Sequence, residues 1–281
     1  MTTPPLIHCA DQDGIANLTL DSPHNRNALS ARLMTELIKK LADATQDPGI
    51  RAVLITHTGN TFCAGADLNE TAADSSAPHR LIQLLRTIAG SSKPVVARVA
   101  GHARAGGLGL LGACDIVVAG PQASFAFTEV RIGLAPAVLS TTVLPRLGSR
   151  AASRYFLTGE RFDAAQAASI GLVTLAADDL DKALAPILDG LRAAAPNALA
   201  ETKRLTTAGV LQSFNQNADT MTELAARLLA TDEAREGVAS FLERRQPAWA
   251  SGTAEPGDDR TVAKEDPHEP ALRTRRSVRP S

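Results

Sequence analysis

The sequence predicts an α/β fold in which strands and helices intermix in the first half and helices fill the second. Short apolar runs recur at residues 52–56, 94–99 and 116–119, the pattern of strands buried on both faces. Segments with apolar residues at three- and four-residue spacing lie between them, as in helices packed on a sheet. From Ala137 onward the chain is mostly helical in pattern.

Taken in order, residues 15–20 alternate and are rich in β formers, which reads as a strand, and residues 21–25 form a turn cluster. Residues 28–45 carry Leu29, Leu33, Leu37, Ile38 and Leu41 at helical spacing, with Pro48 and Gly49 as the stop. The strand at 52–56 ends in His57-Thr-Gly-Asn60, and a polar stretch at 69–76 precedes a helix at 78–89. A strand at 94–99, a short helix at 106–113 and a strand at 116–119 follow. Residues 124–127 read as a short strand ending at Glu129, and residues 172–175 as another. Helices are expected at 180–194, 196–210, 213–230 and 232–244. Beyond Trp249 glycine, proline and charge dominate, so a disordered, basic-ended tail is expected.

Composition narrows the function. A net charge of −1 gives no case for a nucleic-acid partner, and 3% aromatic residues leave no base-stacking platform. Cys9, Cys63 and Cys114 include no CxxC pair, so no disulfide framework is expected and a reducing cytoplasm fits. No signal peptide and no membrane-spanning apolar run is visible.

Two glycine-bearing turns carry the chemistry. Phe62-Cys-Ala-Gly-Ala-Asp-Leu68 and Gly101-His-Ala-Arg-Ala-Gly-Gly-Leu-Gly109 each follow an apolar run and lead into a helical segment. Gly65 can adopt positive φ, Ala66 presents an N–H beside only a methyl, and Asp67 can cap the next turn. Gly106 and Gly107 leave N–H groups open at a helix N-terminus. Two such donors can hold an oxyanion; an ordinary strand-to-helix turn is the alternative for the first segment, and tight helix–sheet packing for the second. The literal GxGxxG of residues 107–112 is not a dinucleotide fingerprint, because the strand at 116 follows too soon for a βαβ crossover. GxSxG, HExxH, P-loop and EF-hand patterns are absent, and the six histidines show no metal-ligand spacing. His57 and His102 read as local structure. Glu129 ends an apolar strand, where burial would raise its pKa and suit it to acid–base work. A salt bridge to Arg131 or Arg98 is the alternative.

These segments, in this order, resemble the signatures of the crotonase (enoyl-CoA hydratase/isomerase) superfamily: residues 62–68, residues 93–101 through 113–115, residues 124–134, Leu157-Thr-Gly159 and Ile170-Gly-Leu-Val173. The resemblance covers roughly residues 10–245 and implies a spiral of repeated ββα units over 1–200. A helical trimerisation region at 201–248 and the tail at 249–281 would follow, with trimers often stacked as hexamers. It implies oxyanion donors at Ala66 and Gly106 and Glu129 as the acid–base residue. Arg26, Ala64, Ala66, Asp67, Leu68 and Gly106 would hold coenzyme A, which enters as part of the acyl-CoA substrate rather than as a separate cofactor. No metal is implied. Hydratases of the family carry a second glutamate where this chain has Gly109. Hydration of an enoyl-CoA is expected, including a branched or carboxylated one met by Arg104 or Arg131. A Δ3-Δ2-enoyl-CoA isomerase or a non-catalytic acyl-CoA binder are the alternatives.

Overall fold

The computed structural model describes residues 4–71 and 76–250. Strands β1 (Ile7–Gln12) and β2 (Ile15–Leu20) form an antiparallel hairpin, followed by α1 (Ala31–Gln46), β3 (Ala52–His57), β4 (Thr61–Cys63), α2 (Leu68–Thr71) and α3 (Ala77–Gly90). Then come β5 (Val95–Val99), β6 (His102–Arg104), α4 (Gly106–Ala113), β7 (Ile116–Ala119), β8 (Ser124–Ala126) and α5 (Ala137–Val143). The remainder is α6 (Ser149–Thr158), β9 (Phe162–Asp163), α7 (Ala164–Ser169), β10 (Leu175–Ala176), α8 (Leu180–Ala193), α9 (Pro196–Thr206), α10 (Ala208–Leu229) and α11 (Asp232–Leu242).

The strands divide between two sheets, ordered β1-β2-β3-β5-β7-β10 and β4-β6-β8-β9. Each consecutive pair, β3 with β4, β5 with β6 and β7 with β8, gives one strand to each sheet before the chain turns into a helix. That is a spiral of ββα units. Successive turns stack in parallel, with Val53 beside Val95 and Val96 beside Ile116. The helices after residue 200 share the same core: Val210, Phe214 and Ala218 of α10 are buried with the strand side chains.

Several expected bounds move for local reasons. Helix α1 begins at Ala31, not Ala28, because the Ser30 hydroxyl accepts the Leu33 N–H as an N-cap. Residues 124–127 stop being a strand at Ala126, and Glu129 opens a short 3-10 turn, Glu129–Ile132. The strand expected at 172–175 is only Leu175–Ala176, paired with Val118 and Ala119. The helix expected at 196–210 ends at Thr206, and the next starts at Ala208. Strand β1 was not expected; it is a polar edge strand whose residues after Ile7 are exposed.

Residues up to Pro247 pack as one unit, and Ala248 onward form a second, of which the described part is the single turn Ala248–Ala250. Apart from 249 and 250, the expected tail lies outside the described residues, as does part of the polar stretch at 69–76.

Candidate active site

The two glycine-bearing turns meet. In the first, the Ala64 N–H donates to Arg26 O (3.0 Å) and Leu29 N–H donates to Gly65 O (2.8 Å). These bonds tie the turn to the segment before α1 and leave the Ala66 N–H without an acceptor among the described residues. Gly65 has φ +91°, a conformation that glycine adopts without strain. In the second turn, Ala105 has φ +48° and ψ −124°, although it is not glycine. Such a conformation costs on the order of 1–3 kcal/mol and persists only where its surroundings hold it. Here the Ala105 N–H is fixed on Ala126 O (3.1 Å) and its carbonyl accepts the Leu108 N–H (2.8 Å). The consequence is that Gly106 starts α4 with an N–H that has no acceptor among the described residues.

Closeness of the turns is set by their small residues. A Cβ on Gly65 would stand 2.8 Å from Ala105 Cβ and 3.4 Å from Gly106 N. A Cβ on Gly106 would stand 3.8 Å from Ala66 N and 3.1 Å from Leu29 Cδ1. Any side chain at either position would intrude between the two donors. All eight residues of α4 are buried, so the positive end of its dipole is poorly screened there.

Glu129 is only 8% exposed, and its Oε2 has no hydrogen-bond partner. Burial lifts its carboxyl from the ordinary range to about 7. The salt bridges considered for it do not form. Arg98 donates through Nε to Asp181 (2.9 Å), and Arg131 donates through Nε to the Thr158 carbonyl (3.3 Å). Its turn is closed by Gly133 at φ +72°, and α11 packs directly on it.

One cavity of about 680 Å³ joins these groups. Its wall includes Ala66, Gly106 and Glu129 together with Arg26, Ala64, Asp67 and Leu68. Asp67 and Glu129 are the acids among the lining residues. Asp67 is engaged locally, accepting from Asn69 N and Asn25 Nδ2 at 3.1 Å each. Gly109 does not line the cavity. It backs onto α5, where a Cβ would stand 2.9 Å from Leu139 Cβ, and Leu139 itself forms part of the wall.

His57 has a structural part, accepting the Ala100 N–H at Nε2 (3.1 Å) and pairing Nδ1 with Thr58 O (3.3 Å). His102 meets Ser124 Oγ at 3.0 Å. No group of metal-ligating side chains occurs among the described residues. Sequence reasoning missed the apolar wall from Leu134 to Leu139, Leu229 and Phe241 from the C-terminal helices, and Arg161. Leu134 closes the segment 124–134 that carries the resemblance but was not singled out there; the others reach the cavity through the packing of elements outside the quoted segments.

The family model described as enoyl-CoA hydratase/isomerase matches residues 10–252. The chain is 34% identical over 242 residues to 2,3-dehydroadipyl-CoA hydratase of Escherichia coli, covering 84% of this chain and 95% of that protein. It is 32% identical over 247 residues to mevalonyl-coenzyme A hydratase of Aspergillus fumigatus, covering 83% and 90%. The crystal structure of an enoyl-CoA hydratase from Mycobacterium avium matches with a TM-score of 0.82 at 50% identity, covering 88% of this chain and all (100%) of the other.

Proposed function

This chain belongs to the enoyl-CoA hydratase/isomerase family, and we propose that it adds water to a 2-enoyl-CoA through a thioester enolate, with Glu129 as its acid–base group. One observation carries the reading: a buried carboxyl with an unpartnered oxygen lines the same cavity as two uncommitted N–H groups.

In this reading the Ala66 and Gly106 N–H groups donate to the thioester oxygen, and the charge that develops there is stabilised by fixed dipoles in a dry site. The ionised Glu129 takes a proton from water as the water oxygen bonds to C3. The C2–C3 π electrons move into the thioester to give the enolate. The carboxylic acid then returns that proton to C2 as the enolate collapses, so one carboxyl group closes the cycle. A pKa of about 7 keeps both protonation states populated near neutrality. Ala64, Asp67 and Leu68 would flank coenzyme A, with the exposed Arg26 on its phosphates.

The environment of Gly109 supports a second reading. With Leu139 against it there is no second carboxyl to hold water. A lone Glu129 could instead remove a C2 proton from a 3-enoyl-CoA and return it at C4, moving the double bond. Assembly as trimers or hexamers belongs to the same proposal and is supported by exposed Phe241 and Leu242 on α11. A cytoplasmic setting is supported by three free cysteines. No helix among the described residues is long and apolar enough to cross a membrane.

Incubation with a 2-enoyl-CoA and a 3-enoyl-CoA, read by mass spectrometry, separates the readings. A gain of one water on the 2-enoyl substrate supports hydration. A shifted double bond without added mass, and no water gained, moves the assignment to isomerisation. Binding without turnover of either would overturn both.

A further inference from the structure

We propose that Thr142 is a positioning residue for the hydration reaction: its hydroxyl holds α4 on α5 and so sets where the Gly106 N–H stands relative to Glu129. The proposal rests on the reading of Gly106 as a donor to the thioester oxygen.

Helix α4 has little of its own to fix its position. It carries no polar side chain, and Gly106, Gly107, Gly109 and Gly112 make half of its eight residues. Bare backbone therefore faces its neighbours. A Cβ on Gly107 would stand 2.7 Å from Cys63 O, and one on Gly109 would stand 2.9 Å from Leu139 Cβ. One on Gly112 would stand 3.0 Å from the Thr142 carbonyl. Helices resist sliding where side-chain ridges enter grooves, and a glycine face offers no ridge.

Hydrogen bonds from the α5 side take that part. Thr142 is fully buried (0% exposed), and its Oγ1 lies 3.0 Å from Gly109 O in α4 and 3.1 Å from Leu139 O in its own helix. A hydroxyl has one proton to donate, so that proton is shared between a carbonyl of each helix. Arg146 holds the far end of α4, donating through Nε to Gly112 O (3.3 Å) and through Nη2 to Cys114 O (3.2 Å). Thr142 is thus the side-chain donor to α4 that stands closest to Gly106 among the described residues. The two hydroxyls before it stay within α5: Ser140 donates to Ala137 O (2.6 Å) and Thr141 to Val138 O (2.7 Å).

Placement links this bond to the reaction. Gly109 is three residues from Gly106, a helical rise of about 4.5 Å, so a slip of α4 at Gly109 is carried to the Gly106 N–H. Helix α5 is tied in turn to the acid, because the Leu134 N–H donates to Glu129 O (3.0 Å) and α5 begins at Ala137. The hydroxyl therefore joins the donor's helix to the segment that starts at Glu129. Thr142 does not line the cavity, so it acts through α4 and not on substrate. An oxyanion donor works over a range of only about 2.7–3.1 Å, and a misplacement of about 1 Å costs on the order of 10²-fold in rate.

The test sets Thr142→Val beside Thr141→Val and Thr142→Ser, with a 2-enoyl-CoA as substrate. Thr142→Val removes the shared proton and puts a methyl where Oγ1 now stands 3.0 Å from Gly109 O, nearer than the roughly 3.3 Å at which carbon meets a carbonyl oxygen. Its kcat should fall about tenfold, while KM and the affinity for free coenzyme A stay within about twofold of the parent. Thr141→Val removes a bond of the same kind inside α5 and should keep kcat within about twofold. Thr142→Ser keeps the hydroxyl and leaves a methyl-sized gap, so its Tm should fall while its kcat returns toward the parent value. Thr142→Ala, compared with Thr142→Ser, isolates the hydroxyl without added bulk and repeats the test if Thr142→Val does not fold. Equal losses of kcat in Thr141→Val and Thr142→Val, or a kcat that follows Tm across the variants, would overturn the proposal. Infrared difference spectra of bound butyryl-CoA, isotope-labelled at the thioester carbonyl, read the donor without turnover. The parent should lower the carbonyl stretch relative to the free ester, Thr142→Val should lose part of that shift, and Thr142→Ser should regain it. No shift in the parent fails the reading of Gly106 as a donor, and the proposal with it. A parent shift that Thr142→Val leaves unchanged overturns the positioning by Thr142 alone.

Discussion

Gly237 of α11 lies flat against the carbonyl of Ile132, so closely that a Cβ on Gly237 would overlap the Ile132 carbonyl carbon and oxygen. Ile132 ends the 3-10 turn that begins with Glu129. Beside it, a Cβ on Gly133 would stand 2.6 Å from the backbone of Glu233. The C-terminal helix is therefore pressed on the turn that aims the candidate acid–base residue, with no side chain between the two backbones.

Gly237→Ala tests that contact. Alanine would favour an isolated helix by about 1 kcal/mol, but the methyl must push α11 off the turn, and overpacking of this kind costs about 1–3 kcal/mol. The expected outcome is a lower Tm together with a lower kcat, because the Glu129 carboxyl moves with its turn. A Tm at or above that of the parent with full activity would show that the contact is not what positions Glu129.

Glu129→Gln should reduce the rate at least about 10²-fold if the carboxyl transfers protons. It should also change stability with a definite sign. The folded-state pKa of Glu129 is raised from 4.5 to about 7. Between those values the folded protein holds a proton that the unfolded chain releases. The contribution of this group is thus full in acid and is lost as pH rises through about 7. Burying the carboxylate at pH 8 costs on the order of 3 kcal/mol relative to pH 4.5. His57, whose pKa is lowered chiefly by burial, acts with the opposite sign, destabilising the fold as pH falls below the ordinary imidazole range. Comparing the variant with the parent across pH cancels the His57 contribution. Glu129→Gln should be the more stable protein at pH 8 and lose that advantage by pH 5. Parallel denaturation curves at both values would contradict the raised pKa.

Much of this site was legible because glycine and a buried acid stand out in a sequence. Gly65 and Gly106 follow apolar runs, and Glu129 interrupts apolar surroundings, so their chemistry was readable before their proximity was. The positive φ of Ala105 was not readable, because alanine gives no sign of it; the bond of its N–H to Ala126 O on the neighbouring strand and the Leu108 N–H on its carbonyl hold it. Strand β1 escaped because an exposed edge strand needs no apolar alternation. That Arg161 stands near enough to Arg104 to act on its charge depends on the antiparallel addition of β9, a two-residue strand with no pattern of its own.

The Lys203–Asp115 pair holds α9 to the sheet. Lys203 is buried, donating to Asp115 Oδ2 (2.9 Å), Ile88 O and Lys93 O (3.0 Å each), while Asp115 Oδ2 also accepts the Val95 N–H (2.7 Å). Removing one partner strands the other charge in the core, at a cost of about 3–5 kcal/mol. Lys203→Met should lower the unfolding free energy by that amount, read as a lower denaturant midpoint at unchanged m, and leave kcat of the folded protein near the parent value, since neither residue lines the cavity. A large loss of kcat with little loss of stability would mean that the pair acts on the site.

Gly109 decides whether a second carboxyl can enter. A side chain there meets Leu139 Cβ at 2.9 Å and Leu85 Cδ1 at 3.4 Å, both held in the core. Gly109→Glu alone must displace α5 or leave an unpaired acid among apolar groups, so a loss of at least about 2 kcal/mol is expected. Adding Leu139→Gly removes the Cβ that stands nearest and opens space beside the cavity wall, at a helix-propensity cost of about 1 kcal/mol. The double variant should recover part of the stability lost by Gly109→Glu, and its ratio of hydration to double-bond migration should rise above that of the parent. That ratio is read by mass spectrometry on the 2-enoyl and 3-enoyl substrates. If the double variant is no more stable than Gly109→Glu, Leu139 is not the obstruction. If it is stable but the ratio does not move, a carboxyl at this position has no part in handling water, and Glu129 alone sets the reaction.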